Sequence, residues 1–170
     1  MMKLYVGTYR KYNEGSLAGE WIDLNDFSSA EEFYEHCAEL HEDEDDPEFM
    51  FQDYESEISG EGTAFYSESG ISEKYWEYLD EVPDDEKEAF LTYCNHMGYD
   101  IDESIPYDSF QEAYQGDYSS DEEFAQEMAE NIGAMPEGHN WPSYCIDWEW
   151  AARELMFDYF SDNGHYFRSI

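Results

Sequence analysis

Between Lys11 and Lys74 the chain runs for 62 residues without a lysine or arginine, and that stretch holds 20 Asp and Glu. A second such stretch, Glu88 to Ala152, holds 15. In all, 44 acidic side chains stand against seven basic ones, a formal charge of −37 over 170 residues. Soluble surfaces usually intersperse both signs. A chain that accepts this much self-repulsion uses its negative field, because net charge governs association and partner choice more than fold.

Strongly acidic chains are often disordered, since they bury too little apolar surface to offset chain entropy. The aromatic content argues against that outcome. The chain is 41% hydrophobic and 19% aromatic, with 16 Tyr, 11 Phe and 5 Trp. Each such ring can bury roughly 150–250 Å², so a real core is available. At this length the core could belong to one domain or to two or three small ones.

Cys37, Cys94 and Cys145 lie far apart and are odd in number, which argues against a disulfide framework or zinc knuckle. Reduced thiols in a cytoplasm are the expectation. The opening Met1-Met2-Lys3-Leu4-Tyr5 shows no signal-peptide apolar region. No apolar run approaches the ~18 residues of a membrane span, and anionic head groups would repel the chain.

The local pattern reads as α+β. Leu4 to Tyr9 and Glu20 to Leu24 are strand-like, as is Phe49 to Tyr54. Ser28-x-x-Glu31 is a capping-box pattern, followed by Ala30, Phe33, Tyr34, Cys37, Ala38 and His41 at helical spacing. The Gly60, Gly62 and Gly70 region reads as loop. Tyr75, Trp76 and Leu79 mark one helix. Pro83 opens a second, carrying Ala89, Phe90, Tyr93, Cys94 and Met97 and stopped by Gly98. A short helix around Tyr107, Phe110 and Tyr114 ends at Gly116. Ser120-x-x-Glu123 caps another helix, which runs to Gly133. Pro136 to Pro142 is loop. Trp148 to Tyr159 gives a helical face, and Asn163-Gly164 signals a hairpin. No internal repeat of fixed period is evident. The expected division is 1–60, 61–103 and 104–170.

Catalytic and metal signatures fail. An EF-hand loop with Gly164 at its sixth position would need carboxylates at Tyr159 and Ile170. The run Asp43 to Asp46 supports only weak, nonspecific divalent binding. Cys37 and His41, four apart on a helix, have metal-capable spacing, but a core thiol beside an edge histidine is the plainer reading. H-E-x-x-H, G-x-S-x-G and phosphate-binding glycine loops are missing. With 44 carboxylates, chance pairing carries no catalytic signal. No enzyme, cofactor or metal is expected.

The acidic faces exceed an ordinary solvated face in two ways. They are one-signed, where a typical helix interleaves Lys with Glu at i,i+4. They are also dense. Glu31, Glu32, Glu35, Glu39 and Glu42 would span about 16 Å of helix, roughly 3.3 Å per charge, against ~3.4 Å per phosphate of one DNA strand. Thirty-seven charges at duplex density would cover roughly 63 Å, more than the ~40 Å of a compact globule this size. An elongated chain of small domains is therefore expected.

The residues Tyr5-Val6-Gly7-Thr8-Tyr9, Lys11-Tyr12-Asn13-x-Gly15-Ser16-Leu17-x-Gly19-x-Trp21 and Glu31-Glu32-Phe33-Tyr34 resemble the ArdA antirestriction family. So do Cys37 to Glu44, Asp46-Pro47-Glu48, Met50 to Glu55, Tyr114-Gln115-Gly116, Phe124-Ala125, Asn163-Gly164 and Phe167-Arg168. The likeness is strongest over the first 55 residues and weaker around Ser56 to Ser72 and Ala134 to Tyr144. It implies a DNA mimic, carried on mobile elements, acting in the bacterial cytoplasm. Its partner would be the methyltransferase core of a Type I restriction–modification enzyme, whose DNA-binding groove it would fill. It also implies an elongated, curved homodimer of three-domain subunits, with short antiparallel sheets and packed helices. The chain itself would need no nucleic acid and no membrane.

The residues expected to stand in for phosphates are Glu31, Glu32, Glu35, Glu39, Glu42, Asp43, Glu44, Asp45 and Asp46. Asp121, Glu122, Glu123, Glu127 and Glu130 join them from the last third. The competing readings are a halophilic enzyme, a cation buffer, and an acidic chaperone or inhibitor of other basic DNA-binding proteins.

Overall fold

A computed structural model describes residues 2–134 and 145–169. The chain divides into two compact units, Met1–Tyr107 and Asp108–Ile170. The loop expected at Pro136 to Pro142 lies outside the described residues.

In the first unit, β1 (Met2–Thr8) is the central strand of an antiparallel sheet. Met2, Leu4 and Val6 alternate into the core and are fully buried, the period of two that a half-covered sheet requires. A short helix, α1 (Tyr9–Asn13), absent from the sequence expectation, follows at once, because the Thr8 hydroxyl accepts the Lys11 N–H and caps it. The two edges are β2 (Glu20–Asp23) and β3 (Phe49–Ser56), giving the order β2-β1-β3.

Helix α2 (Ala30–Leu40) joins those edges. Its cap is one residue later than the sequence pattern suggested. Ser29 accepts the Glu32 N–H at 3.2 Å, and the Glu32 carboxylate reaches back to the Ser28 N–H at 2.8 Å. Two adjacent serines and two adjacent glutamates made both frames possible. The geometry selects the one that puts Phe33 inward, fully buried and 5.8 Å from Phe51 on β3. Fully burying such a ring stabilises by about 1.5–3 kcal/mol. Since α2 ends at Leu40, Glu42 lies beyond the helix and its row holds four of the five carboxylates.

The glycine-rich region is more ordered than a loop. It holds α3 (Glu61–Phe65) and a two-strand ladder, β4 (Tyr66–Ser67) with β5 (Gly70–Ile71). Helix α4 (Lys74–Glu81) then buries Tyr75, Trp76 and Tyr78, and Trp76 donates its indole N–H to the Phe27 carbonyl at 3.1 Å. Helix α5 (Lys87–Met97) begins four residues after Pro83, because an intervening turn, Glu86 N–H to the Pro83 carbonyl, comes first. Gly98, at φ 72°, stops it as expected.

The second unit repeats the sheet-and-helix theme. Helix α6 (Tyr107–Ala113) is followed by β6 (Tyr114–Asp117), a strand that the helical reading of Tyr114 had missed. Gly116 at φ 111° sits where the β6 ladder shifts register, so the strand bulges where a side chain would be strained. Helix α7 (Asp121–Asn131) is capped by Ser120 as expected. Helix α8 (Trp148–Leu155) stops short of Tyr159, which instead begins β7 (Tyr159–Asp162). Asn163 and Gly164 both take positive φ, forming the tight turn into β8 (His165–Arg168). The order is β6-β8-β7, all neighbours antiparallel. The chain is thus α+β, with short antiparallel sheets around an aromatic core.

Candidate functional site

The few basic residues explain where the acids go. Lys11 and Lys87 turn inward; their side chains keep only 17% and 6% exposure. Arg10, Lys74 and Arg153 pair within their own helical turns or just past them, with Glu14, Glu77 and Glu149. Among the described residues no ion pair reaches the outer carboxylates of α2 or α7.

On α2, Glu31, Glu32, Glu35 and Glu39 are all exposed, and Glu42 continues the row past the helix end. On α7, Asp121, Glu123, Glu127 and Glu130 are exposed and Glu122 is half-buried. Several of these also have local work, Glu127 among them, beside the Tyr118 hydroxyl. Glu32 accepts the Ser28 N–H and hydroxyl, bonds that hold its carboxyl below the usual carboxylate range. Glu123 accepts the hydroxyl and N–H of Ser119, with the same effect. Asp121 accepts the Tyr166 hydroxyl at 2.6 Å. The lowered pKa values keep Glu32 and Glu123 ionised at neutral pH.

The acidic run from Glu42 to Asp46 splits. Glu42, Asp45 and Asp46 face outward. Asp43 is exposed but takes the Lys11 ammonium at 2.7 Å, which lowers its pKa. Glu44 turns in and is 9% exposed, accepting the Thr8 hydroxyl at 2.7 Å with Lys11 Nζ 3.7 Å away. Sequence alone gave no sign of this, since Thr8 and Lys11 lie more than thirty residues away.

Ligand atoms of His41, Asp43 and Glu44 come within 4.8 Å of one another. A cation already sits among them. Lys11 Nζ lies 2.9 Å from His41 Nδ1 as well as against both carboxylates. The ring nitrogen must therefore accept, and burial together with the Lys11 charge lowers the histidine's pKa. The cluster ties α1 to the end of α2, with the Lys11 ammonium as the cation its ligand atoms share. Cys37 and Cys94 are buried, and burial pushes each thiol up to about 12, which leaves them unreactive. Cys145 is exposed.

A second buried carboxylate went unread in the sequence. Glu61 is fully buried, and the hydroxyls of Ser56 and Tyr78 donate to it, the latter at 3.2 Å. Lys87 Nζ lies 5.4 Å from the Tyr78 ring centre, over its face.

No described helix is long and apolar enough to cross a membrane. What the arrangement offers chemically is charge: rows of carboxylates on capped helices, set on aromatic cores. A protein-family model described as Antirestriction protein (ArdA) matches residues 4–167. No curated protein matches the chain.

Proposed function

The chain belongs to the ArdA antirestriction family, and on that premise we propose that it is a DNA mimic acting on Type I restriction–modification enzymes. It occupies their DNA-binding groove and blocks restriction, and modification with it, of incoming DNA. It catalyses nothing and requires no cofactor. It works as a homodimer in the cytoplasm of a bacterial host.

The observation that carries the reading is the family match, which spans nearly the whole chain. The outward carboxylates of α2 and α7 supply the means. They meet the Lys and Arg of a DNA channel as phosphates do, and counterion release favours the complex. Because the carboxylates are held on capped helices, little ordering cost falls due on binding. Glu31, Glu35, Glu39, Glu42, Asp45, Asp46, Glu122, Glu127 and Glu130 are the phosphate substitutes proposed first. Glu32, Asp43, Asp121 and Glu123 add charge while serving the fold, and Glu44 contributes field from within.

The test is displacement of a labelled DNA duplex from a purified Type I methyltransferase core, at two salt concentrations. Stoichiometric displacement that weakens with salt is expected. No displacement at micromolar protein would sink the reading and bring an acidic chaperone of basic proteins forward.

A further inference from the structure

Residues 26–39 and 117–130 align without a gap, and eight of the fourteen positions are identical. The shared core is Ser-Ser-x-Glu-Glu-Phe, at Ser28 to Phe33 and at Ser119 to Phe124. The structures agree as closely. Each segment opens an 11-residue helix whose second serine caps the N–H three residues on, both at 3.2 Å, while the glutamate bonds back to the first serine. Phe27 packs on Phe33 at 5.6 Å, and Tyr118 on Phe124 at 5.0 Å. Phe33 then meets Phe51 of β3 at 5.8 Å, and Phe124 meets Tyr159 of β7 at 5.1 Å.

The sheets match too, once strand order is permuted. In the first unit the central strand comes first: centre β1, edge β2, helix, edge β3. In the second it comes last: edge β6, helices, edge β7, centre β8. Each helix crosses from one edge to the other, and each centre is antiparallel to both edges. The β1–β3 sheet with α2 and the β6–β8 sheet with α7 have the element order of circular permutants of one motif. This is no repeat of fixed period, and none was expected from the sequence; permutation leaves only the helix and its cap alignable.

Packing and capping explain four of the eight identities. Phe33 and Phe124 fill cores, and the serines with Glu32 and Glu123 make caps. Glu31 and Glu122 lie in the first turns, where a carboxylate complements the helix N-terminus, and Glu122 also lines a cavity with Arg153; nothing of this kind explains Glu39 with Glu130. Glu39 and Glu130 are exposed near the ends of their helices, where the helix field disfavours an acid, and no hydrogen bond or ion pair among the described residues holds either. Positions that match between two copies without an internal reason point outward. We infer that α2 and α7 are two copies of one recognition module, each meeting an equivalent cluster of Lys or Arg side chains on the partner. The target therefore offers the same basic feature twice to one chain. This deepens the proposed function and rests on it for the identity of the target.

Two measurements on the full-length protein test it. In the first, labelled protein is titrated with hexa-arginine and followed by NMR. The amides of α2 and α7 should saturate with midpoints within threefold of each other; a wider gap overturns the equivalence whatever the target proves to be. In the second, E31Q/E39Q, E122Q/E130Q, the quadruple variant and a control, D102N/E103Q in the acidic connector, compete for DNA bound by the methyltransferase core. Each helix pair should raise the half-displacement concentration about fivefold and the quadruple about twenty-five-fold, as independent sites multiply. The control should stay within twofold. Helix pairs differing by more than threefold, or a control as damaging as they are, would also overturn the inference. If unmodified protein displaces no DNA, the proposed function falls, and the peptide titration alone decides the equivalence.

Discussion

Glu44 and Glu61 are both buried carboxylates, and the first unit accommodates them by different means. Glu44 has a cation 3.7 Å away and a threonine hydroxyl at 2.7 Å. Glu61 has two hydroxyl donors and reaches a lysine only across the face of the Tyr78 ring. The difference teaches how a chain with seven basic residues allots them. One goes where burial and several acids coincide; neutral donors suffice elsewhere. Among the described residues the outer faces of α2 and α7 receive none, so their charge stays unpaired on the surface.

The largest test of that contrast is Lys11→Met. It strips the ammonium from Glu44, Asp43 and His41 together and should cost about 2–3 kcal/mol in urea unfolding, since an unpaired buried charge is worse than no charge. Adding Glu44→Gln should restore at least half of the loss. A double variant no better than the single would mean that Lys11 matters for its stem and not its charge.

Tyr78→Phe removes one donor from Glu61 and leaves the ring under Lys87; about 1–2 kcal/mol is expected. If it proves costlier than Lys11→Met, the ranking of cation over hydroxyl is reversed. Ser29→Ala and Ser120→Ala should each cost about 1 kcal/mol, the usual value of a cap. Unequal costs would separate two helices that otherwise look alike.

The smallest effects are in solution conditions. His41 has a lowered pKa in the fold, so the unfolded chain binds its proton more readily. Stability should be level above pH 6.5 and decline as pH falls toward 5, a slope that Lys11→Met should flatten. Below that, Asp43, Glu32 and Glu123, whose pKa values are also lowered, add their own losses as pH drops through the carboxylate range. Raising salt from 0.01 to 0.15 M shortens the screening length from ~30 to ~8 Å and should raise the denaturation midpoint. A midpoint that is flat with salt would show that the surface charge scarcely strains the fold.

The sequence made most of the scaffold legible because its signals were local. Alternation marked β1, the Asn163-Gly164 turn marked the last hairpin, and the apolar spacing marked α2, α4, α5 and α7. It failed where distant contacts decide. Tyr114 and Tyr159 fit helical spacing yet pair with β8, whose residues lie far along the chain from Tyr114. The acidic rows could be read from composition, but the inward turn of Glu44 could not, because its partners Thr8 and Lys11 come from another element. The permuted copy was hidden for a similar reason. Strand order is a property of the folded sheet, and a search for a fixed period does not see it.

The placement of the two central strands also bears on how the chain meets the ribosome. β1 is synthesised before its edges, so β2 and then β3 can each dock on a strand already waiting. β6 is synthesised some fifty residues before β8 and has nothing to pair with until the β7–β8 hairpin emerges. One sheet can grow outward as it is made; the other must hold the β6 edge and the rings of Phe110 and Phe124 open until its middle strand arrives. The same motif, cut at a different point, thus trades early closure for a late one, and the second unit is where a translating cell would first need a chaperone.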